Sequence, residues 1–210
     1  MNEELKKILE KVSELYIKYG IKSITMDDVA SHLSISKKTL YKYVSDKGDL
    51  VGKVIDIQIE VLRSEMDCKC DTGLNAIEEL LIVSKMINYK MKNMNPGTIY
   101  DLKKYYPEHY SKFLNARREK MHSNIIDNIR KGKEEGLYRN DLDENIIAKL
   151  QISRIENIID SDFFSVEEFT STKFFQEIFV YHIRGIANEK GIDFLENKLQ
   201  NFDIEDINNL

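Results

Sequence analysis

Apolar residues recur every three or four positions along most of the chain, and this spacing is typical of amphipathic α-helices. The first stripe covers residues 5–19, and Gly20 follows it as a residue that tolerates the left-handed conformation at a helix end. A second long stripe covers residues 50–62. With 9 glycines and 2 prolines, the chain has too few turn residues for a sandwich or barrel. The pattern therefore predicts an all-α protein of about nine to ten helices.

Two very short helices are predicted between these two long ones. The first begins at Thr25, which stands three residues before Asp28 as in a capping box, and the second begins after Ser36 and extends to Val44. Two short helices interrupted at residues 34–36 are typical of a helix-turn-helix motif. Such pairs also occur in ordinary helical bundles, so the spacing alone favours neither interpretation.

The side chains of the second short helix favour DNA binding. Residues 36–47 contain four lysines and one aspartate, and no acidic residue stands between Ser36 and Ser45. A surface helix with a purely structural role would mix glutamate with its lysines. Lysines interleaved with hydroxyl groups and phenols suit contacts with phosphates and base edges, while Leu40 and Val44 are left to pack inward.

Residues 24–47 closely resemble the DNA-binding head of the TetR/AcrR (tetracycline-repressor-like) family of transcriptional regulators. The resemblance covers roughly residues 5–52 and rests on the hydroxyl cap of the second helix, on Thr-Leu-Tyr in the recognition helix and on Lys47 at the start of the fourth. Two positions depart from it: Ser34 replaces the usual glycine of the turn, and Gly48 replaces a usual acid. Each departure costs about 1 kcal/mol, which the fold can tolerate.

The resemblance implies a three-helix DNA-binding domain over residues 1–50 and a helical effector-binding and dimerisation domain over residues 51–210. It implies a sequence-specific repressor that leaves its operator when a small hydrophobic or aromatic effector binds the body. A homodimer would place two heads on one two-fold-symmetric stretch of double-stranded DNA. The residues expected to contact DNA are Thr25, Ser36, Lys37, Lys38, Thr39, Tyr41, Lys42, Tyr43 and Lys47.

These residues are expected to play different roles. Thr25 and Lys47 stand at helix N-termini, where free amides and the helix dipole attract phosphate. Residues 36–39 fill the N-terminal turn of the recognition helix, which enters the major groove, so we expect them to contact bases. The resemblance places the two tyrosines on backbone phosphates, and Lys42 suits either a base or a phosphate.

Further helices are predicted in the body. They cover residues 73–93, a short piece after a break at 95–97 up to residue 105, a long helix from Pro107, and residues 143–160, 171–190 and 192–201, before a polar tail. Residues 132–139, followed by residues 141–143, resemble the turn that precedes the family's eighth helix, so a turn is expected there.

The resemblance also implies an effector pocket and a dimer interface in the body. The candidate pocket residues are Met86, Tyr89, Tyr100, Tyr105, Tyr106, Tyr110 and Phe113. The candidate dimer residues, on the family's eighth and ninth helices, are Leu150, Arg154, Phe175, Ile178, Phe179, His182 and Ile186. In both sets the alternative is that apolar residues at helical spacing simply fill the interior of one chain.

Charge and composition exclude several other classes. Residues 1–50 carry a net charge of +1 and the rest −6, which suggests a small DNA-facing head on an acidic body. The apolar runs are too short for a membrane span and no secretory signal is present, so we expect a cytoplasmic protein. The four histidines are scattered, which predicts no metal and no cofactor, and Cys68 and Cys70 form a lone C-x-C.

No phosphate loop, dinucleotide fingerprint or nucleophile motif is present, so the sequence predicts that the protein is not an enzyme. Two alternatives stay open. One is a DNA-bound regulator of the same fold that answers to a protein partner or to no effector. The other is a helical small-molecule-binding protein or enzyme whose short helix pair never touches DNA.

Overall fold

The computed structural model describes residues 3–65, 73–95, 97–160, 163–169 and 171–200, and within these ranges regular structure is helical apart from one isolated β-bridge. The helices are α1 (Glu3–Tyr19), α2 (Met26–His32), α3 (Lys37–Leu40), α4 (Lys47–Glu65), α5 (Ala76–Lys92), α6 (Gly97–Tyr105), α7 (Pro107–Glu134), α8 (Glu144–Asp160), α9 (Val166–Phe169), α10 (Thr172–Ile186) and α11 (Glu189–Leu199). The predicted all-α fold with an N-terminal helix-turn-helix is confirmed. Cys68, Cys70, Pro96 and the tail from residue 201 lie outside the described ranges.

The chain divides into two compact units, and the first comprises Met1–Cys68 and Asn93–Arg118. Its core forms where α1 packs against α4 and where the short helices insert Val29 and Leu40 between them. Leu102 of α6 and Ala116 of α7 are buried in the same core. The boundary expected at residue 50 therefore falls inside α4, and part of this core comes from residues far along the sequence.

Residues at the start of α6 and just before it donate hydrogen bonds to the last carbonyls of α1. The last carbonyls of a helix lack partners within it. Here the Asn95 amide donates to the Ile17 carbonyl at 2.7 Å, and the Thr98 hydroxyl donates to the Tyr16 carbonyl at 2.8 Å. Gly20 then ends α1 with a φ of 84°, as its position predicts.

The second unit comprises Lys69–Lys92 and Glu119–Leu210. Its core contains residues of α5, α7, α10 and α11 together with Tyr138 of the connection after α7. None of the helices in the described ranges is both long enough and apolar enough to cross a bilayer.

The turn predicted at residues 132–139 begins later than expected. Gly132 lies inside α7, and the ring of Tyr138 folds back over it, so that a Cβ at this position would overlap Tyr138 Cδ2. The chain reverses instead at Gly136, whose φ is 66°. Tyr138 is 1% exposed and forms the isolated bridge with Ala187, so the glycine serves helix-to-ring packing rather than the turn.

Two other predicted helix boundaries are wrong, each for a local reason. Helix α5 starts at Ala76 rather than residue 73, because Asn75 Oδ1 accepts from the amides of Ile77 and Glu78. Helix α10 stops at Ile186 rather than residue 190, because Ala187 is extended and Asn188 caps α11. The single turn α9 was not predicted.

Candidate nucleic-acid interface

The start of α2 is fixed by a reciprocal hydrogen-bonded cap. The Thr25 hydroxyl accepts from the Asp28 amide at 3.2 Å, while the Thr25 amide and hydroxyl donate to Asp28 Oδ2 at 2.8 and 2.6 Å. These bonds lower the pKa of Asp28. The predicted capping box is confirmed, and the Thr25 hydroxyl takes part in it.

The turn between α2 and α3 uses Ser34 in the left-handed conformation, with a φ of 55°. The Ser34 amide donates to the Ser31 carbonyl and the Ile35 amide to the Ala30 carbonyl, both at 3.0 Å. This pair of bonds is the Schellman arrangement that ends many helices. Serine therefore adopts the left-handed conformation expected at this turn.

Helix α3 is capped by Ser36, whose hydroxyl accepts from the Thr39 amide at 3.0 Å and lies 2.8 Å from the Thr39 hydroxyl. It ends at Leu40 rather than at the predicted Val44. Beyond Leu40 the amides of residues 42 and 43 donate three residues back, so the backbone tightens into turns. Leu40 and Val44 are 0% and 3% exposed, which anchors the segment to the first core.

The predicted contact residues of this segment point largely outward. Lys37, Lys38, Tyr41 and Lys42 are exposed, as is Ser36, while Thr39 and Tyr43 are half-buried. The Tyr43 hydroxyl bonds Glu4 of α1, which raises the pKa of this phenol. The lysines are thus on the surface and not in the interior.

One of these lysines is paired within the head. Lys37 Nζ lies 2.9 Å from Asp27 Oδ2, and this hydrogen bond raises the pKa of Lys37. Both groups are exposed, so the pair is weak and easily exchanged for another partner. Within the described residues neither Lys38 nor Lys42 has an ion-pair partner.

Lys47 is the first residue of α4, which Asp46 caps by accepting from the Asp49 amide at 2.9 Å. Its side chain is half-buried, and its Nζ donates to the Lys22 carbonyl at 3.4 Å. Burial lowers the pKa of Lys47, against the opposing influence of Asp101 and Asp28. Lys47 therefore lies beside the α1–α2 connection as well as at a helix N-terminus.

One set of contacts at this edge, made by Lys22, could not be predicted from the sequence. Lys22 Nζ donates to the Tyr105 hydroxyl at 2.9 Å, and the Lys22 amide donates to Asp101 Oδ2 at 2.8 Å. The partners are about 80 residues apart in the chain, so no short-range pattern could reveal them.

The predicted pocket residues are divided between the two units. Met86 and Tyr89 are exposed on α5 of the second unit. Those of the first unit comprise Tyr100 and Tyr105, exposed on α6, and three side chains packed against its core, namely Tyr106, Tyr110 and Phe113. A depression of about 510 Å³ in the second unit is lined by Arg139, Ala187, Asn188, Glu189, Ile192 and Asp193, none of which was predicted.

The predicted dimer residues are partly inside the second unit. Phe175, Phe179, His182 and Ile186 are buried within a single chain, as the alternative interpretation expected. Arg154 and Ile178 are half-buried and Leu150 is exposed. The apolar and aromatic side chains that α8 and α10 leave open are Ile146, Leu150 and Tyr181, with exposures of 56%, 61% and 71%.

Sequence comparison matches the head to a known family. The profile of the bacterial regulatory proteins of the tetR family matches residues 8–54, the segment that holds the helix-turn-helix. The chain is also 27% identical over 191 residues to the HTH-type transcriptional regulator YvaF of Bacillus subtilis (strain 168), covering 90% of this chain and 98% of that protein. Residues 8–54 therefore form a TetR-family DNA-binding domain. A chain built around this domain is a DNA-binding transcriptional regulator and not an enzyme.

Solved structures share the fold of this chain along most of its length. A transcriptional regulator from Cytophaga hutchinsonii has a TM-score of 0.68 at 18% identity and covers 89% of this chain and 100% of its own. A regulator from Saccharomonospora viridis, solved in complex with choline, has a TM-score of 0.55 at 18% identity and covers 90% and 100%. At such identities the likeness concerns the fold alone.

Proposed function

We propose that this TetR-family regulator is a repressor that binds a two-fold-symmetric operator as a homodimer and leaves it when a small molecule binds. The observation that carries the proposal is the surface of residues 36–47. It is fixed to the core by Leu40 and Val44, and it presents Lys38 and Lys42 to solvent without partners in the described chain. Rigid attachment with free cationic ends is what a groove-binding helix requires.

The DNA contacts proposed for this surface follow from the position of each residue. The first turn of α3 offers Lys37 and Lys38 to base edges, where a lysine suits the O6 and N7 acceptors of guanine. On binding DNA, Lys37 would break its ion pair with Asp27 and contact a base edge instead. Tyr41 and Lys42, both exposed, suit backbone phosphates or an adjacent base.

The geometry suggests a role for each of the five other expected contact residues. Thr25 is held by Asp28 and Tyr43 by Glu4, so both act mainly by fixing the helices that present the lysines. Ser36 and Thr39 hydrogen-bond each other at the cap of α3, and their outer faces stay available to DNA. Lys47 suits a phosphate at the start of α4.

A dimer interface is proposed on α8 and α10. Ile146, Leu150 and Tyr181 are large and exposed, and Arg154 stacks over the Tyr181 ring with 5.4 Å between its Cζ and the ring centroid. A C2 interface would bury the same patch on each protomer. Phe175, Phe179, His182 and Ile186 would support this patch from beneath.

The effector is proposed to be a small molecule with aromatic or cationic character. Met86 and Tyr89, both exposed on α5, offer adaptable side chains of the kind such ligands use. Since one solved relative holds choline, a quaternary ammonium compound is a suitable first probe, because tyrosine rings attract such cations.

Selection of duplexes from a random pool by the purified protein tests the central proposal. We expect an enriched palindromic site whose binding weakens steeply with salt. Lys38→Glu should abolish specific binding, because it places a negative charge against the groove. Lys190→Glu, the same charge change at an exposed position of α11, should leave binding unchanged. An unenriched pool, or equal binding by Lys38→Glu, would overturn the assignment of this surface.

A further inference from the structure

A second cationic surface lies beside the helix-turn-helix, on the α1–α2 connection and α6. Lys22 Nζ stands 5.0 Å from the centroid of the Tyr105 ring whose hydroxyl it bonds. Lys104 Nζ donates to the Tyr100 hydroxyl at 2.8 Å and stands 5.5 Å from the Tyr105 centroid. The two lysines thus share one aromatic support, and we call these four residues the α6 patch.

The α6 patch is continuous with the edge expected to meet phosphates. Lys47 Nζ donates to the carbonyl of Lys22, so the first residue of α4 and the patch are in direct contact. Thr25, at the start of α2, follows Lys22 by three residues. A duplex lying across the N-termini of α2 and α4 would therefore have the α6 patch at its border.

The charge balance of this border is positive. Three lysines, Lys22, Lys47 and Lys104, stand against two aspartates, Asp28 and Asp101. Both carboxylates already accept backbone amides, that of Asp28 from Thr25 and that of Asp101 from Lys22. The hydrogen bonds to Tyr105 and Tyr100 raise the pKa of Lys22 and Lys104.

The geometry favours an extended polyanion over a small anion. Tyr105 and Tyr100 are 41% and 57% exposed, and both lysines are exposed, so the patch is an open surface without walls. Small ligands are bound in concave sites that remove most of their surface from water. Open lysines on a rigid support instead suit a phosphate backbone, where binding gains from counterion release.

We propose that Lys22 and Lys104, held by Tyr105 and Tyr100, contact duplex phosphates just outside each operator half-site. The proposal rests on the DNA-binding function proposed above and extends its footprint beyond the recognition helix. It assigns Tyr100 and Tyr105 to the support of these lysines rather than to an effector pocket. The contacts would raise affinity without reading sequence.

The test compares two lengths of the duplex selected from the random pool. The short duplex ends at the outermost recognised base pairs, and the long one extends by a helical turn, about 10 bp, on each side. On the long duplex, Lys22→Ala and Lys104→Ala should each reduce the slope of log affinity against log salt by about 1.8, since a dimer loses two contacts of about 0.9 each. On the short duplex the slope should equal that of the parent.

Lys112→Ala is the matched control. Lys112 is an exposed lysine of the same unit, and its Nζ contacts Asp56, nine residues beyond Lys47 on α4. Its slope should not change on either duplex. Circular dichroism verifies folding, and Lys104→Gln gives a second variant that keeps the aliphatic stem of the side chain.

The outcomes separate this inference from the proposed function. An unchanged slope on the long duplex, or an equal loss on both lengths, overturns the flanking contact while the operator assignment stands. Normal DNA binding with an altered response to an anionic effector also overturns it, in favour of a small-anion site. A pool without enrichment overturns the proposed function and this extension together.

Discussion

At the scale of single residues, His182 is a histidine whose pKa lies well below its ordinary value. It is buried in α10, and burial together with nearby Arg154 lowers its pKa from 6.5 to about 4. The folded chain therefore holds a neutral imidazole at a pH where the unfolded chain already binds a proton. Stability from this group is complete above pH 6.5 and is lost as the pH falls towards 4.

The expected loss is on the order of 3 kcal/mol of unfolding free energy between pH 7 and pH 4, from the size of the pKa shift. Urea unfolding of the parent and of His182→Gln across this range measures it. The variant should have a flatter pH dependence than the parent, and His32→Gln, on the surface of α2, should follow the parent. A parent-like decline in His182→Gln would show that another group is responsible.

At the scale of elements, an aromatic ring from a neighbouring segment can determine which residue a helix accepts at one position. Gly132→Ala should destabilise the chain although alanine favours helices by about 1 kcal/mol, because the new Cβ would overlap the Tyr138 ring. Gly185→Ala, in α10 with open space around it, should stabilise instead. Denaturant midpoints of both variants measure the contrast. Equal stabilisation by both would mean that α7 and the ring separate easily.

The same contrast explains which elements the sequence could predict. The caps at Thr25 and Ser36 were predictable because each cap and its partner lie within three residues. The place of Gly132 inside α7 was not predictable, because it depends on the Tyr138 ring, which packs over it from the following segment. The Lys22–Tyr105 contact and the burial of Phe175 and Phe179 depend on packing between distant segments, which periodicity does not specify.

At the scale of the whole molecule, the proposed repressor depends on pairing of two chains. Leu150→Glu places a charge in the exposed apolar patch of α8 and should produce a folded monomer, detected by sedimentation velocity. A monomer presents one head, so its operator affinity should fall by at least the contribution of one half-site. A Leu150→Glu protein that remains dimeric would place the interface elsewhere.

The junction between α1 and α6 has a practical consequence for hybrid regulators. Exchanging only the first 50 residues between related proteins would separate Tyr16 and Ile17 from the Thr98 and Asn95 groups that complete their backbone. It would also remove Leu102 from the core it shares with the transplanted helices. A transplant that retains its specificity and its solubility must therefore carry two pieces of chain, the second drawn from residues 93–118.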